Sequence, residues 1–191
     1  MFYRDLVHSV VRGTERPRLL ELGCALGLFL AVLNPEWDLY GIDISKFGIQ
    51  KAKESLPEAR VEVWDGTTVP FEGQFKVIVS FDVLEHILDL KTISSTIYSK
   101  LEAGGHFIFV VPVYDGPTGP IIRLLDRDET HVHRRSRYFW LDWTRRRFAV
   151  VDWWGIYRWL VGRRYYIHVP TKRFRRFTPA IAVIAQRTDV V

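Results

Sequence analysis

Cysteine, methionine and asparagine are almost missing from this 191-residue chain: Cys24, Met1 and Asn34 are the sole examples of each. One thiol cannot build a disulfide framework, so the stapled secreted folds are excluded. No apolar run reaches the ~18 residues that span a bilayer. The first residues, Met1-Phe2-Tyr3-Arg4-Asp5, lack the apolar core of a signal peptide. A cytoplasmic protein is therefore the expectation. Glutamine is also rare and arginine abundant. Few thermolabile side chains among many charges is the pattern of a thermophile. No internal repeat or low-complexity tract occurs.

What is present is ordinary in amount and uneven in placement. With 48% hydrophobic and 26% charged residues, the chain can bury a proper core as one domain over 1–191. Residues 1–120 carry 11 Lys and Arg against 16 Asp and Glu, whereas residues 121–191 carry 16 against 6. A net charge of −5 thus precedes one of +10.

The apolar pattern predicts alternating strands and helices. Strands fall near 18–22, 38–42, 60–64, 76–80 and 105–111, and helices near 26–33, 46–55 and 90–102. Ser45 is a suitable N-cap for the second of these helices, and Pro57 ends it. Phe2 to Arg12 can form a short N-terminal helix burying Phe2, Leu6, Val7 and Val10. Val113 to Asp126, rich in Gly and Pro, reads as a mobile loop. Phe148 to Trp153 and Thr178 to Gln186 read as two further strands, with a helix starting near Ser136. The apolar run from Trp153 to Val161 forms a hairpin, a lid or an interfacial patch. This alternation argues a Rossmann-like α/β fold: a seven-stranded, mostly parallel sheet with helices on both faces and its ligand at the strands' carboxyl ends. Residues 1–17 then form a short N-terminal helix, 18–112 the ligand-binding half and 113–191 a basic half.

The sharpest signal is Leu19-Leu20-Glu21-Leu22-Gly23-Cys24-Ala25-Leu26-Gly27. A strand that runs through a glycine turn into a helix lets backbone N–H groups approach a ligand. Asp43 closes the next strand beside that turn, where a carboxylate accepts both hydroxyls of a ribose. These features point to a nucleoside. The G-x-A-x-G spacing is one residue short of the G-x-G-x-x-G loop of dinucleotide sites, which ranks an NAD-dependent oxidoreductase last. Ala25 is accommodated if its φ stays negative. Cys24 reads as a small residue that fits the turn.

Glu21 followed by Gly23, Ala25 and Gly27 resembles the first motif of class I S-adenosylmethionine-dependent methyltransferases. Val61 to Gly66 is similar to that family's third strand and acidic loop. Phe75 to Ile87, ending in Asp82-Val83-Leu84-Glu85-His86, resembles the fourth strand and "D-x-L-E-H" segment of small-molecule enzymes of the ubiquinone/menaquinone-biosynthesis type. Leu101 to Gly105 and then His106 to Pro112 resemble the helix end, turn and fifth strand. The resemblance implies that Glu21 helps hold the methionine ammonium and that Gly23, Cys24, Ala25 and Gly27 pass under the cofactor. It further implies that Asp43 with Ile44 binds the ribose, and that Asp65 and Gly66 face the adenine. Ser80 and Asp82 complete the set, Asp82 near the methionine end or at the start of a helix. The implied cofactor is S-adenosylmethionine.

For a base that takes the acceptor's proton, His131 and His133 are the first candidates. They lie in a segment similar to the family's "T-H" element, and either one alternatively only fixes the loop. His86 stands beside the methyl donor or caps the following helix. Asp128, His131 and His133 as a metal site is a lesser reading, and no metal is expected. Many relatives carry a longer N-terminal cap; its absence implies an open site or a lid from the later insertion. The basic half mixes Arg134, Arg135, Arg137, Arg163 and Arg164, among other arginines, with tryptophans. That mixture suits RNA, an anionic membrane surface, or a solvated surface over a tryptophan-rich core. A small-molecule or lipid-like acceptor is the expectation. RNA methylation is the alternative, lowered by the lack of an N/D-P-P-Y/F tetrapeptide after the fourth strand. A non-catalytic cofactor-binding regulator is a further alternative.

Overall fold

The computed structural model describes residues 2–188 apart from 12, 14, 67, 118 and 162–164. Five strands run parallel: β1 (Arg18–Leu22), β2 (Asp38–Asp43), β3 (Arg60–Val63), β4 (Phe75–Phe81) and β5 (Leu101–Pro112). Three more follow, β6 (Ala149–Val161), β7 (Tyr165–Thr171) and β8 (Ala180–Gln186), and the sheet order is β3-β2-β1-β4-β5-β8-β6-β7. β8 lies antiparallel between β5 and β6, and β7 pairs antiparallel with β6 at the edge. The sheet therefore has eight strands, one more than expected. The additional strand is β7, and β6 runs on past Trp153 to form a hairpin with it.

Alternating side chains feed two cores. Leu20, Leu22, Ile78, Phe107 and Phe109 point to one face, where they meet α4 (Leu90–Lys100) and α6 (Arg137–Arg145). Leu19, Val77, Val79, Ile108 and Val110 point to the other. There they meet α1 (Phe2–Val10), α2 (Leu28–Leu33) and α3 (Lys46–Ser55). A parallel sheet covered on both faces explains why its strands read as continuous apolar runs. Ser45 caps α3, accepting from the Gly48 N–H at 3.0 Å, and Asp89 caps α4 through the N–H groups of Lys91 and Thr92. The N-terminal helix ends at Val10, and its expected last residue, Arg12, lies outside the described residues, as do Arg163 and Arg164. The span expected to be a mobile loop contains α5 (Gly119–Leu125). Pro120 stands in its first turn, where the missing N–H costs no intrahelical bond.

Candidate active site

The turn after β1 is stitched to β2. Gly23 and Cys24 both donate to the Ile42 carbonyl, at 2.7 and 3.1 Å. Gly23 has φ +78°, and a side chain there would run into Val83. Asp43 then holds the turn from outside: Oδ2 accepts from the Ala25 N–H and Oδ1 from the Ser45 N–H, both at 2.8 Å. The carboxylate predicted to meet a ribose is thus already fixed by two backbone donors. Ala25 does not meet the condition of a negative φ: its φ is +45°. That left-handed conformation costs an L-residue about 1–2 kcal/mol, offset by the bond to Asp43. Gly27 is left-handed too and leads into α2. Cys24 is buried, and its thiol is pushed up to about 12, first by burial and then by Glu21 and Asp43. It packs within the turn.

Glu21 sits mid-sheet between Gly41 of β2 and Val79 of β4. It is buried, its Oε2 has no partner, and burial with the neighbouring Asp43 pushes its pKa up to about 8. The Ser80 hydroxyl, at the tip of β4, is likewise buried without a partner. Above these strand tips opens a cavity of about 760 Å³. Gly23, Asp43, Ile44, Asp65 and Gly66 line it, with Trp64. Apolar Val83, Ile87 and Leu88 and the ring of His86 form more of its wall.

Asp82, just before the 3-10 turn Leu84–His86, is held in an ion pair. Its φ is +56°, and both carboxylate oxygens accept from Arg158 Nη2, at 2.7 and 3.0 Å. Arg158 comes from the part of β6 that lies beyond the predicted strand. Tyr3 of α1 joins them, stacking on Phe81 with centroids 4.6 Å apart, its hydroxyl pushed up to about 12 mainly by burial. The short α1 therefore packs against the β4 tip. Tyr3 and Arg158 escaped sequence reasoning because only tertiary contact brings them to Asp82.

The histidines separate into two groups. His86 Nδ1 lies 2.9 Å from Thr130 Oγ1 and 3.1 Å from the Thr130 carbonyl. His131 Nδ1 lies 2.9 Å from Asp126 Oδ2, which also accepts from the Tyr114 hydroxyl at 2.6 Å. Burial works against the charge on Asp126, but hydrogen bonds from Tyr114 and His131 win and hold its pKa well below the usual range. The two rings stand 4.7 Å apart, with buried Glu85 beside them. Burial, then Asp82, pushes the Glu85 carboxyl up to about 8. His133 turns away: its Nε2 donates to the Ile87 carbonyl at 2.9 Å and its ring packs edge-on to Trp140. Asp128, His131 and His133 therefore share no centre. Glu85, Tyr114 and Asp126 were not picked out from sequence, and only the "E-H" pair hinted at Glu85.

A family model described as "Methyltransferase domain" matches residues 2–161. Among solved structures, the chain is similar to the YcgJ protein of Bacillus subtilis (15% identity, 97% of this chain and 98% of that one, TM-score 0.72). It is similarly close to an S-adenosylmethionine-dependent methyltransferase of Methanosarcina mazei (16%, 96% and 97%, TM-score 0.72). A third, of the same description from Mesorhizobium loti, shares 18% identity over 96% of each chain with a TM-score of 0.69. No curated protein matches significantly in sequence. Because the family match takes in the glycine turn, all the parallel strands and His86 at the cavity, the chain belongs to the methyltransferase-domain family.

Proposed function

We propose that the protein transfers a methyl group from S-adenosylmethionine to a hydroxyl of a small or lipid-like acceptor in the cavity above the strand tips. The observation that carries this reading is the buried Glu21 carboxyl, whose Oε2 has no partner, beside a glycine turn and the fixed carboxylate of Asp43. A buried carboxyl oxygen without a partner is costly, and an ammonium group is the complement it lacks. Gly23 and Gly66 leave backbone bare toward the cavity, and a Cβ at Gly66 would meet open space. The residues present thus fit this cofactor.

The cofactor, when bound, supplies a sulfonium-activated methyl, so transfer needs chiefly positioning and a dry cavity. Asp43 keeps unused lone pairs for a ribose, Asp65 and Gly66 face the adenine, and Ser80 offers its hydroxyl toward the methionine end. Val83, Ile87 and Leu88 give an apolar wall that excludes water from the acceptor. His86, supported by Glu85 and His131, is the group that promotes loss of the acceptor's proton. His133 positions that group by tying the 3-10 turn Leu84–His86 to the loop before α6.

Several arginines of the basic half are engaged within the fold, which supports a small acceptor. Arg137 pairs with Asp115, Arg134 with Asp126 and Arg158 with Asp82, while Arg175 stacks on Trp153 at 4.0 Å. Trp140 and Trp143 are buried in the core. Among the described residues, no helix is long and apolar enough to cross a membrane.

Calorimetric titration with S-adenosylhomocysteine tests the cofactor placement. Hydrogen bonds to a charged group contribute about 1.5–3 kcal/mol, so Asp43→Ala should weaken binding by roughly 10- to 100-fold. Asp43→Asn, which keeps one acceptor oxygen, should fall between. Unchanged affinity in a folded Asp43→Ala protein would overturn the site. Labelled methyl entering RNA while hydroxylated small molecules and lipids stay unlabelled would overturn the acceptor class.

A further inference from the structure

We infer that Glu85, His86 and His131 form a site for one divalent transition-metal ion set in the wall of the acceptor cavity. Each offers a ligand atom, and these atoms lie within 4.8 Å of one another. The tautomers follow from the partners. A backbone carbonyl only accepts, and Thr130 Oγ1 gives its own proton to Asp128 Oδ1 at 2.6 Å, so His86 Nδ1 must be the donor to Thr130. A carboxylate also only accepts, so His131 Nδ1 donates to Asp126. Each neutral ring then keeps a lone pair on Nε2, that of His131 lying 3.7 Å from Asp128 Oδ2. The third group is the Glu85 carboxylate, nine-tenths buried and more, whose Oε2 has no partner.

Three potential ligand atoms, two of imidazole and one of carboxyl, therefore lie close together, an arrangement that a cation satisfies. Imidazole bonded through Nδ1–H to a carboxylate or carbonyl is the way proteins orient metal-binding histidines. Asp126 does this for His131, and Thr130, steadied by Asp128, does it for His86. His133 supplies the contrast: its Nε2 is the donor, its Nδ1 is buried against the core, and it stands outside the cluster. Ligands at about 2.1 Å from a tetrahedral ion sit roughly 3.4 Å from each other, so the side chains close inward by about 1 Å on binding. Two imidazoles and one carboxylate select zinc, cobalt(II) or iron(II) over calcium and magnesium, which prefer all-oxygen sites.

Three protein ligands leave coordination positions open, and His86 belongs to the cavity wall as well as to the cluster. An ion held there meets an acceptor oxygen and lowers its pKa as a Lewis acid, and the proton departs to solvent. This role rests on the proposed function; the ion binding does not.

The test uses full-length protein stripped with a chelator and titrated with Co²⁺ under visible absorption. One equivalent should bind with ligand-field bands and be displaced by Zn²⁺. Glu85→Gln and His86→Gln should each weaken binding at least tenfold. Asp126→Asn keeps all the ligands but loosens His131, and should weaken it by about 10- to 100-fold. Absence of any band in the wild-type protein overturns the proposal, as does affinity unchanged in both ligand variants. Titrating the stripped wild-type protein with S-adenosylhomocysteine separates the two readings. Cobalt bound without nucleoside keeps the metal site and sinks the cofactor assignment. Nucleoside bound without cobalt does the reverse.

Discussion

Glu21 and Glu85 each keep one carboxyl oxygen buried without a partner, and both are pushed up to about 8, chiefly by burial. At neutral pH the free protein therefore holds Glu21 largely protonated. An ammonium group placed beside it favours the carboxylate, so binding S-adenosylmethionine near pH 7 should expel up to one proton. Calorimetry in buffers of different ionisation enthalpy reads that number directly. Glu21→Gln should bind more weakly and release none; the same release from the variant would show that another group faces the ammonium. Glu21 and Asp43 were legible in the sequence because strand and glycine turn place them by local rules. Glu85 was not, since its burial depends on a loop more than 40 positions away, where His133 N–H donates to its carbonyl. Ala25 shows the limit of local reasoning: nothing in G-x-A-x-G announces a left-handed alanine, and the carboxylate of Asp43 is what holds it there.

At the scale of elements, the parallel half was readable and the antiparallel end was not. Strands β1 to β5 each join a hydrophobic run to a helix or turn, and a covered parallel sheet makes such runs continuous. β7, Tyr165–Thr171, contains Pro170, which argues against a central strand but is tolerated at an edge. α5 was hidden for a similar reason, because Gly119 and Pro120 read as loop residues although proline suits a helix's first turn. What fastens this end is Arg137 of α6. Its Nε lies 3.0 Å from both Asp115 oxygens, and its other nitrogens donate to the carbonyls of Arg175 and Thr178. The side chain is buried, so it joins α6 to the segments before α5 and β8 at once. Removing one partner of a buried ion pair costs about 3–5 kcal/mol. Arg137→Leu should thus lower the melting temperature by about 2–4 °C per kcal/mol lost, for a chain of this length. A scan showing no change would mean the carbonyls find water instead.

Across the whole molecule, two apolar cores carry a site whose carboxyls the fold does not satisfy by itself. The consequence is a pH dependence of stability with a definite sign. Both glutamates have folded pKa values near 8 against an ordinary value of 4.5. Between those limits the unfolded chain binds fewer protons than the folded one, so stability falls as pH rises and levels off above about 8. Below the ordinary value both states are protonated and the groups contribute no difference. Glutamine mimics the protonated form, so Glu21→Gln/Glu85→Gln should match wild type at pH 4.5 and melt several degrees higher at pH 8. Bound cations reverse this. An ammonium at Glu21 or a metal ion at Glu85 stabilises the charged form, so each ligand should raise the wild-type melting temperature more at pH 8 than at pH 5. In the double variant the nucleoside's share of that pH dependence should vanish, while the metal's share keeps only what its histidine ligands impose. If wild type and variant instead follow parallel curves from pH 4.5 to 8, the buried carboxyls are not what couples this fold to its ligands.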